Sequence, residues 1–191
     1  ADRRQRQMCI RDRGEPLTGR LDPPKGAAFV AVIGDDQPQR RWLLASDAGY
    51  GFVCPFEALL AKAKAGKAVL SLPEAARVLP PVALPGSPLD RVAAATSSGH
   101  LLVFPIGDLP ELNRGKGNKI IGIPTARAKA REEVMAAITV VPDGASLTLI
   151  SGKRTFTLKP ADLDRFEGER GRRGALLPRG FQKVDGLTSE D

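Results

Sequence analysis

The chain has 191 residues, 42% of them apolar but only 5% aromatic. That is long enough for a sizeable core, in one domain or two small ones, filled by Val, Leu, Ile and Ala in the manner of short aliphatic strands. A formal charge of +7 favours polyanionic partners such as nucleic acid or an acidic membrane surface. No apolar run reaches membrane-spanning length, and no apolar segment backs the N-terminal arginines as a secretory signal would. Cys9 and Cys54 are too few for a disulfide framework and lack metal-ligand spacing, so the sequence reads as a cytoplasmic protein.

In chain order, Phe29 to Ile33, Trp42 to Ser46, Gly51 to Phe56 and Val69 to Leu72 are predicted strands, each short, aliphatic and bounded by Gly, Pro or Asp. Gly34-Asp35-Asp36-Gln37-Pro38, Pro85-Gly86-Ser87-Pro88 and Pro142-Asp143-Gly144 are turns built on φ-permissive residues. Two stretches rich in Ala, Lys and Glu read as helical connectors. Glu57 to Ala65 is predicted to hold about one turn, with Gly66 as its C-cap, and Thr125 to Ile138 a longer helix.

The sequence repeats itself. Gly49-Tyr50-Gly51-Phe52-Val53-Cys54-Pro55-Phe56 recurs 50 residues on as Gly99-His100-Leu101-Leu102-Val103-Phe104-Pro105-Ile106, with Leu59 and Leu109 matched behind them. A weaker copy starts at Gly152, where Leu158 takes the proline's place. After each copy comes a glycine in a basic setting that opens an aliphatic run: Gly66, Gly117 and Gly174, preceded by a relic at Arg13-Gly14. Units of this length made of short strands suggest propeller-like blades that bury their faces only against one another.

The basic glycine loops are the functional candidates. Their backbone amides can approach a phosphate closely while the side chains supply charge. If the blades stack in a ring, Lys62, Lys64, Lys67, Arg114, Lys116, Lys119, Arg170, Arg172 and Arg173 return to one rim as a positive band. Such a band would hold DNA by its backbone and bend it, with little base reading. Catalysis finds little support. His100 is the lone histidine and sits inside the repeat, Tyr50 is a packing residue there, and Asp35-Asp36 and Glu132-Glu133 read as turn and helix solubilisers. No catalytic residue and no metal ligand is assigned.

Ala45-Ser46-Asp47-Ala48-Gly49-Tyr50-Gly51-Phe52-Val53-Cys54, Gly115-Lys116-Gly117-Asn118-Lys119-Ile120-Ile121 and Gly168-Glu169-Arg170-Gly171-Arg172-Arg173-Gly174 closely resemble the C-terminal domain of ParC, the A-type subunit of bacterial topoisomerase IV and a relative of the A-type subunit of gyrase. The likeness runs from about Gly14 to Asp185; Ala1 to Arg13 does not match the family. The resemblance implies an all-β fold, a β-pinwheel of propeller-like blades whose basic rim engages duplex DNA. It places Lys64 to Lys67, Arg114 to Lys119 and Arg170 to Arg173 where the gyrase relative binds DNA. Gyrase carries a Gln-Arg-Arg-Gly-Gly-Lys-Gly box, of which Asn113-Arg114-Gly115-Lys116-Gly117 is only a partial relic. Positioning a second DNA segment for decatenation therefore fits better than strong chiral wrapping.

The family's active-site tyrosine domain and further blades are missing, so the pinwheel is expected to be open and truncated, with about three blades. The expected division is a non-family extension (1–13), the end of a preceding blade (14–26), blades at 27–80, 81–133 and 134–186, and a tail (187–191). The expected partners are double-stranded DNA, the rest of the ParC subunit and the B-type subunit of topoisomerase IV, in a cytoplasmic, nucleoid-associated setting without a membrane. No cofactor is expected in this chain, ATP and Mg2+ being used elsewhere in the holoenzyme. A second reading is a blade-repeat scaffold that docks acidic protein partners or other domains of the same enzyme.

Overall fold

The structure, a computed structural model, describes residues 21–190. The expected extension at 1–13, the relic at Arg13-Gly14 and the first part of the expected 14–26 segment lie outside the described residues. Two compact units form. Of the described residues, the smaller holds 21–29 and 60–68 and the larger holds 30–59 and 69–190.

The smaller unit contains no strand among its described residues. The Asp22 N–H donates to the Lys64 carbonyl at 3.1 Å, and the Gly66 N–H closes a turn onto Ala63 at 2.9 Å. Gly66 has φ +75°, so it ends a turn and not the helix that the sequence suggested. The one helical turn expected nearby is a 3-10 turn over Phe56–Leu59, in the larger unit.

The larger unit is built on three antiparallel hairpins: β1 (Arg41–Ser46) with β2 (Tyr50–Pro55), β4 (Arg91–Thr96) with β5 (His100–Pro105), and β8 (Ser146–Ser151) with β9 (Arg154–Leu158). The repeated glycines turn them: Gly49 and Gly99 both take φ +83° and Gly152 φ +60°, conformations that a side chain resists. β2 is followed by the 3-10 turn already described, β5 by another over Ile106–Asp108, and β9 by the single turn α2 (Pro160–Leu163). The repeated proline or leucine thus marks where each second strand stops.

No hairpin is a complete sheet. β3 (Val82–Ala83) joins β1 and β6 (Asn118–Lys119) joins β2, giving the order β3-β1-β2-β6. In the second sheet β7 (Met135–Val141) joins β4 and β10 (Ala175–Leu176) joins β5, giving β7-β4-β5-β10. In the third, β11 (Gly186–Glu190) joins β8 and no described strand joins β9. Every outer strand is thus donated from sequence beyond the hairpin it completes.

The central sheet is buried on both faces, which is why β4 reads as an unbroken apolar run. Val92 and Ala94 pack with Leu43, Val53, Phe104, Ile120 and Met135 against the first sheet. Ala93 and Ala95 pack with Leu147, Leu149, Leu163 and Leu177 against the third. The small side chains of β4 let flanking sheets approach, with large residues interdigitating from either side. The expected all-β fold of about three propeller-like sheets is what forms.

Three local expectations are corrected. Thr125 to Ile138 is not one helix: α1 spans only Thr125–Lys129, Arg131 takes φ +61°, and Met135 onward is strand β7. Pairing along the whole of β4 and burial of Met135, Ile138 and Val140 outweigh the helix propensity of Ala, Lys and Glu. Phe29 to Ile33 forms no strand, and no described strand pairs with it. Val69 to Leu72 contributes one bridge, Leu70 to Gly115.

Candidate nucleic-acid interface

The loop before β6 is pinned at several points. Leu112 donates to the Val53 carbonyl at 2.8 Å, Gly115 donates to Val69 at 2.8 Å, and Ser71 donates back to Gly115 at 2.8 Å. Gly117 has φ +74°, and a Cβ there would run into the Gly51 carbonyl. Only glycine lets the chain cross β2 this closely before Lys119 pairs with Tyr50. This arrangement leaves Arg114 and Lys116 exposed and Lys119 half-buried, with Lys116 Nζ 4.2 Å over the Tyr50 ring.

The loop before β10 repeats the device on the second sheet. Gly174 has φ +80°, a Cβ there would meet the Leu101 carbonyl, and Leu176 then pairs with His100. The two loops touch. Gly171 donates to the Ile120 carbonyl at 2.9 Å, Gly122 donates to the Arg172 carbonyl at 2.7 Å, and Arg170 Nη1 donates to the Lys119 carbonyl at 2.7 Å. Arg114 to Lys119 and Arg170 to Arg173 therefore make one continuous surface.

Their charges are not all directed outward. Glu133 is 1% exposed, accepts from Arg173 Nη2 at 2.9 Å on both oxygens, from Arg127 at 3.2 Å, and from the Ser98 hydroxyl. Arg173 Nε also donates to His100 Nε2 at 3.2 Å. Burial opposes ionisation of Glu133, but the bonds from Ser98 and Arg173 outweigh it and hold its carboxyl below the usual range. Burial, then the charge of Arg173, lowers His100 below the ordinary histidine value, consistent with a neutral ring accepting from the guanidinium. Glu133 is thus the buried centre of a network, correcting its reading as a helix solubiliser.

Of the nine candidate residues, Lys62, Lys64 and Lys67 are exposed in the smaller unit. In the larger unit Arg114, Lys116 and Arg172 present charge to solvent, Arg172 beside Glu169 at 3.0 Å. Lys119 is half-buried, Arg170 laces the two loops together, and Arg173 is neutralised by Glu133. The cations of the α1 region are matched as well: Lys129 meets Glu74 at 2.8 Å and Arg131 meets the buried Asp47 at 2.7 Å. Among the described residues no group of three or more His, Cys, Asp or Glu gathers as a metal site, and no helix is long and apolar enough to cross a membrane.

Hairpin-centred sheets completed by outer strands from later sequence, with glycine loops crossing the first two hairpins, are the architecture of a gyrase-type β-pinwheel. Residues 41–79 and 90–140 match the family model of the DNA gyrase C-terminal domain, a β-propeller. The chain is 54% identical over 177 residues to the A-type subunit of DNA topoisomerase 4 from Pseudomonas aeruginosa and 53% identical over 171 residues to that from Haemophilus influenzae. These alignments cover 93% and 90% of this chain and 23% of each relative. Among solved structures, that of the E. coli ParC C-terminal domain superposes with a TM-score of 0.83 at 47% identity, covering 93% of this chain and 71% of that one. The chain belongs to the family of ParC C-terminal domains, those of the A-type subunit of DNA topoisomerase IV. It spans about a quarter of the length of the curated relatives it matches.

Proposed function

We propose that this chain is a non-catalytic module that binds and bends duplex DNA for a type IIA topoisomerase. In this reading it positions DNA segments for ATP-dependent decatenation and relaxation during chromosome segregation. The observation that carries the reading is the pair of abutting basic loops, each held by a glycine that admits no side chain and neither offering a base-reading helix. A rigid surface of Arg114, Lys116, Lys119 and Arg172 suits contacts to phosphates, which fix position without reading sequence.

The rest of the ParC subunit and the B-type subunit would be its working partners, with ATP and Mg2+ used on those chains, in the cytoplasm on the nucleoid. Blades at 27–80, 81–133 and 134–186 serve as the working division, and Lys62, Lys64 and Lys67 are further candidate DNA contacts, on the smaller unit.

The test is titration of a short mixed-sequence duplex at several salt concentrations, with the Arg114→Ala/Lys116→Ala/Lys119→Ala variant alongside. A surface meeting roughly 6 to 10 phosphates loses about 10³ to 10⁵ in affinity between 50 and 200 mM salt. The variant should bind every sequence more weakly and with a shallower slope. Binding that is flat with salt, or a loss confined to one sequence, would refute a backbone-reading surface.

A further inference from the structure

The third sheet has three strands where the other two have four. In the first two, the vacant place corresponds to the strand beside β2 and β5, taken by β6 and β10. Among the described residues nothing takes the corresponding place beside β9, and no residue from Arg154 to Leu158 has a backbone hydrogen bond outside its own sheet. Arg154, Thr155 and Thr157 are exposed there. An unpaired row of N–H and C=O groups is a template for an added strand.

The side chains at the start of each second strand say what kind of strand would fit. Tyr50 and His100 begin β2 and β5, and each meets a cation from the residue before the crossing glycine: Lys116 Nζ at 4.2 Å from the ring of Tyr50, and Arg173 Nε at 3.2 Å from His100 Nε2. The equivalent residue before β9 is Lys153, exposed in the hairpin turn. A cation arriving there would be repelled, whereas a carboxylate would be attracted. Lys159, Arg179 and Lys183 in the flanking segments are also exposed. The carboxylate at the turn, Asp185, already accepts from the Gly152 N–H at 2.6 Å. One face of β9 is braced: Phe156 stacks on Phe181 at 5.0 Å, and Arg154, two residues away on the same face, lies over the same ring while donating to the Gly180 carbonyl.

We propose that the free edge of β9 takes an extended acidic segment of a partner protein as a fourth strand, with a carboxylate set against Lys153. Main-chain bonds along Arg154–Leu158 supply affinity, and the Lys153 contact selects charge. This surface is separate from the DNA-binding reading, which involves the first two sheets.

The experiment uses the 191-residue chain and a labelled, end-blocked heptapeptide of alternating glutamate and valine. Two N-methylated versions, blocked on the glutamates or on the valines, separate edge pairing from charge attraction, because only one alternate set of amides faces β9. One methylated version should bind about ten-fold more weakly while the other keeps its affinity. Lys153→Glu, at an exposed turn, should weaken the parent peptide by a similar factor, and Lys153→Gln by less. Backbone amides within Arg154–Leu158 should gain protection from hydrogen exchange when the peptide binds. The proposal is overturned if both methylated peptides bind like the parent, if Lys153→Glu changes nothing, or if those amides stay unprotected. It also fails if a short DNA duplex, and not the peptide, protects them.

Discussion

Lys116 holds its ammonium 4.2 Å above the ring of Tyr50, although the two residues come from successive repeats. The contact fixes the lysine's ammonium over the first residue of β2. An exposed cation–π contact contributes about 0.5–1 kcal/mol. Tyr50→Ala should therefore weaken duplex binding about two- to five-fold at fixed salt, while Tyr50→Phe should leave it unchanged. A fluorescence titration of both variants, with melts to confirm folding, decides the matter.

Arg172 and Arg173 are neighbours with opposite employment. Arg172 is exposed beside an exposed Glu169, so Arg172→Ala should cost less than about 0.5 kcal/mol of stability but lower DNA affinity. Arg173→Ala strips the buried Glu133 of its bidentate partner, leaving Arg127 and the hydroxyl groups of Ser98 and Thr96, and should cost about 3 kcal/mol. Urea unfolding of the two variants measures the contrast. Equal stabilities would contradict the buried network.

Gly117 and Gly174 combine positive φ with backbone where a Cβ would go. Gly117→Ala and Gly174→Ala should each destabilise by more than about 2 kcal/mol, since strain and displacement of the crossing strand add. Gly144, with φ +77° and open space around it, is the control: Gly144→Ala should cost about 1 kcal/mol. Thermal melts at one pH rank the three.

Acid should loosen the molecule in two stages. The folded state resists protonating His100, whereas the unfolded chain accepts that proton near pH 6.5. Stability from this group is thus full above that range and falls as pH drops through it. Glu133, held below its ordinary 4.5, contributes stability above that value and loses it as pH falls further. Melting temperatures across a pH series from neutral to strongly acidic should show both declines, with His100→Gln removing the upper one and Glu133→Gln the lower.

What the sequence disclosed was local. Gly49, Gly99 and Gly152 announce three hairpin turns because positive φ is a property of single residues, and Pro55, Pro105 and Leu158 mark the strand ends behind them. The basic glycine loops were visible for the same reason, though not what they cross. Pairing between Lys119 and Tyr50, or Leu176 and His100, joins residues from different repeats and leaves no trace in either segment. Met135 to Val141 hid behind helix-favouring neighbours, because its strand identity comes from β4 and not from itself. Glu133 looked like half of a solvated pair, and only the arrival of Arg173 from the next repeat makes it a buried ion.

The donated outer strands also impose a schedule on synthesis. When β1 and β2 have left the ribosome, their sheet still lacks β3 and β6, and it is not finished until Lys119 has emerged; the second sheet waits for Leu176. Each hairpin must therefore pass through an interval with both of its edges bare. The nascent chain matures one repeat behind its own translation, and a pause between repeats leaves a half-built sheet exposed to whatever strand arrives first.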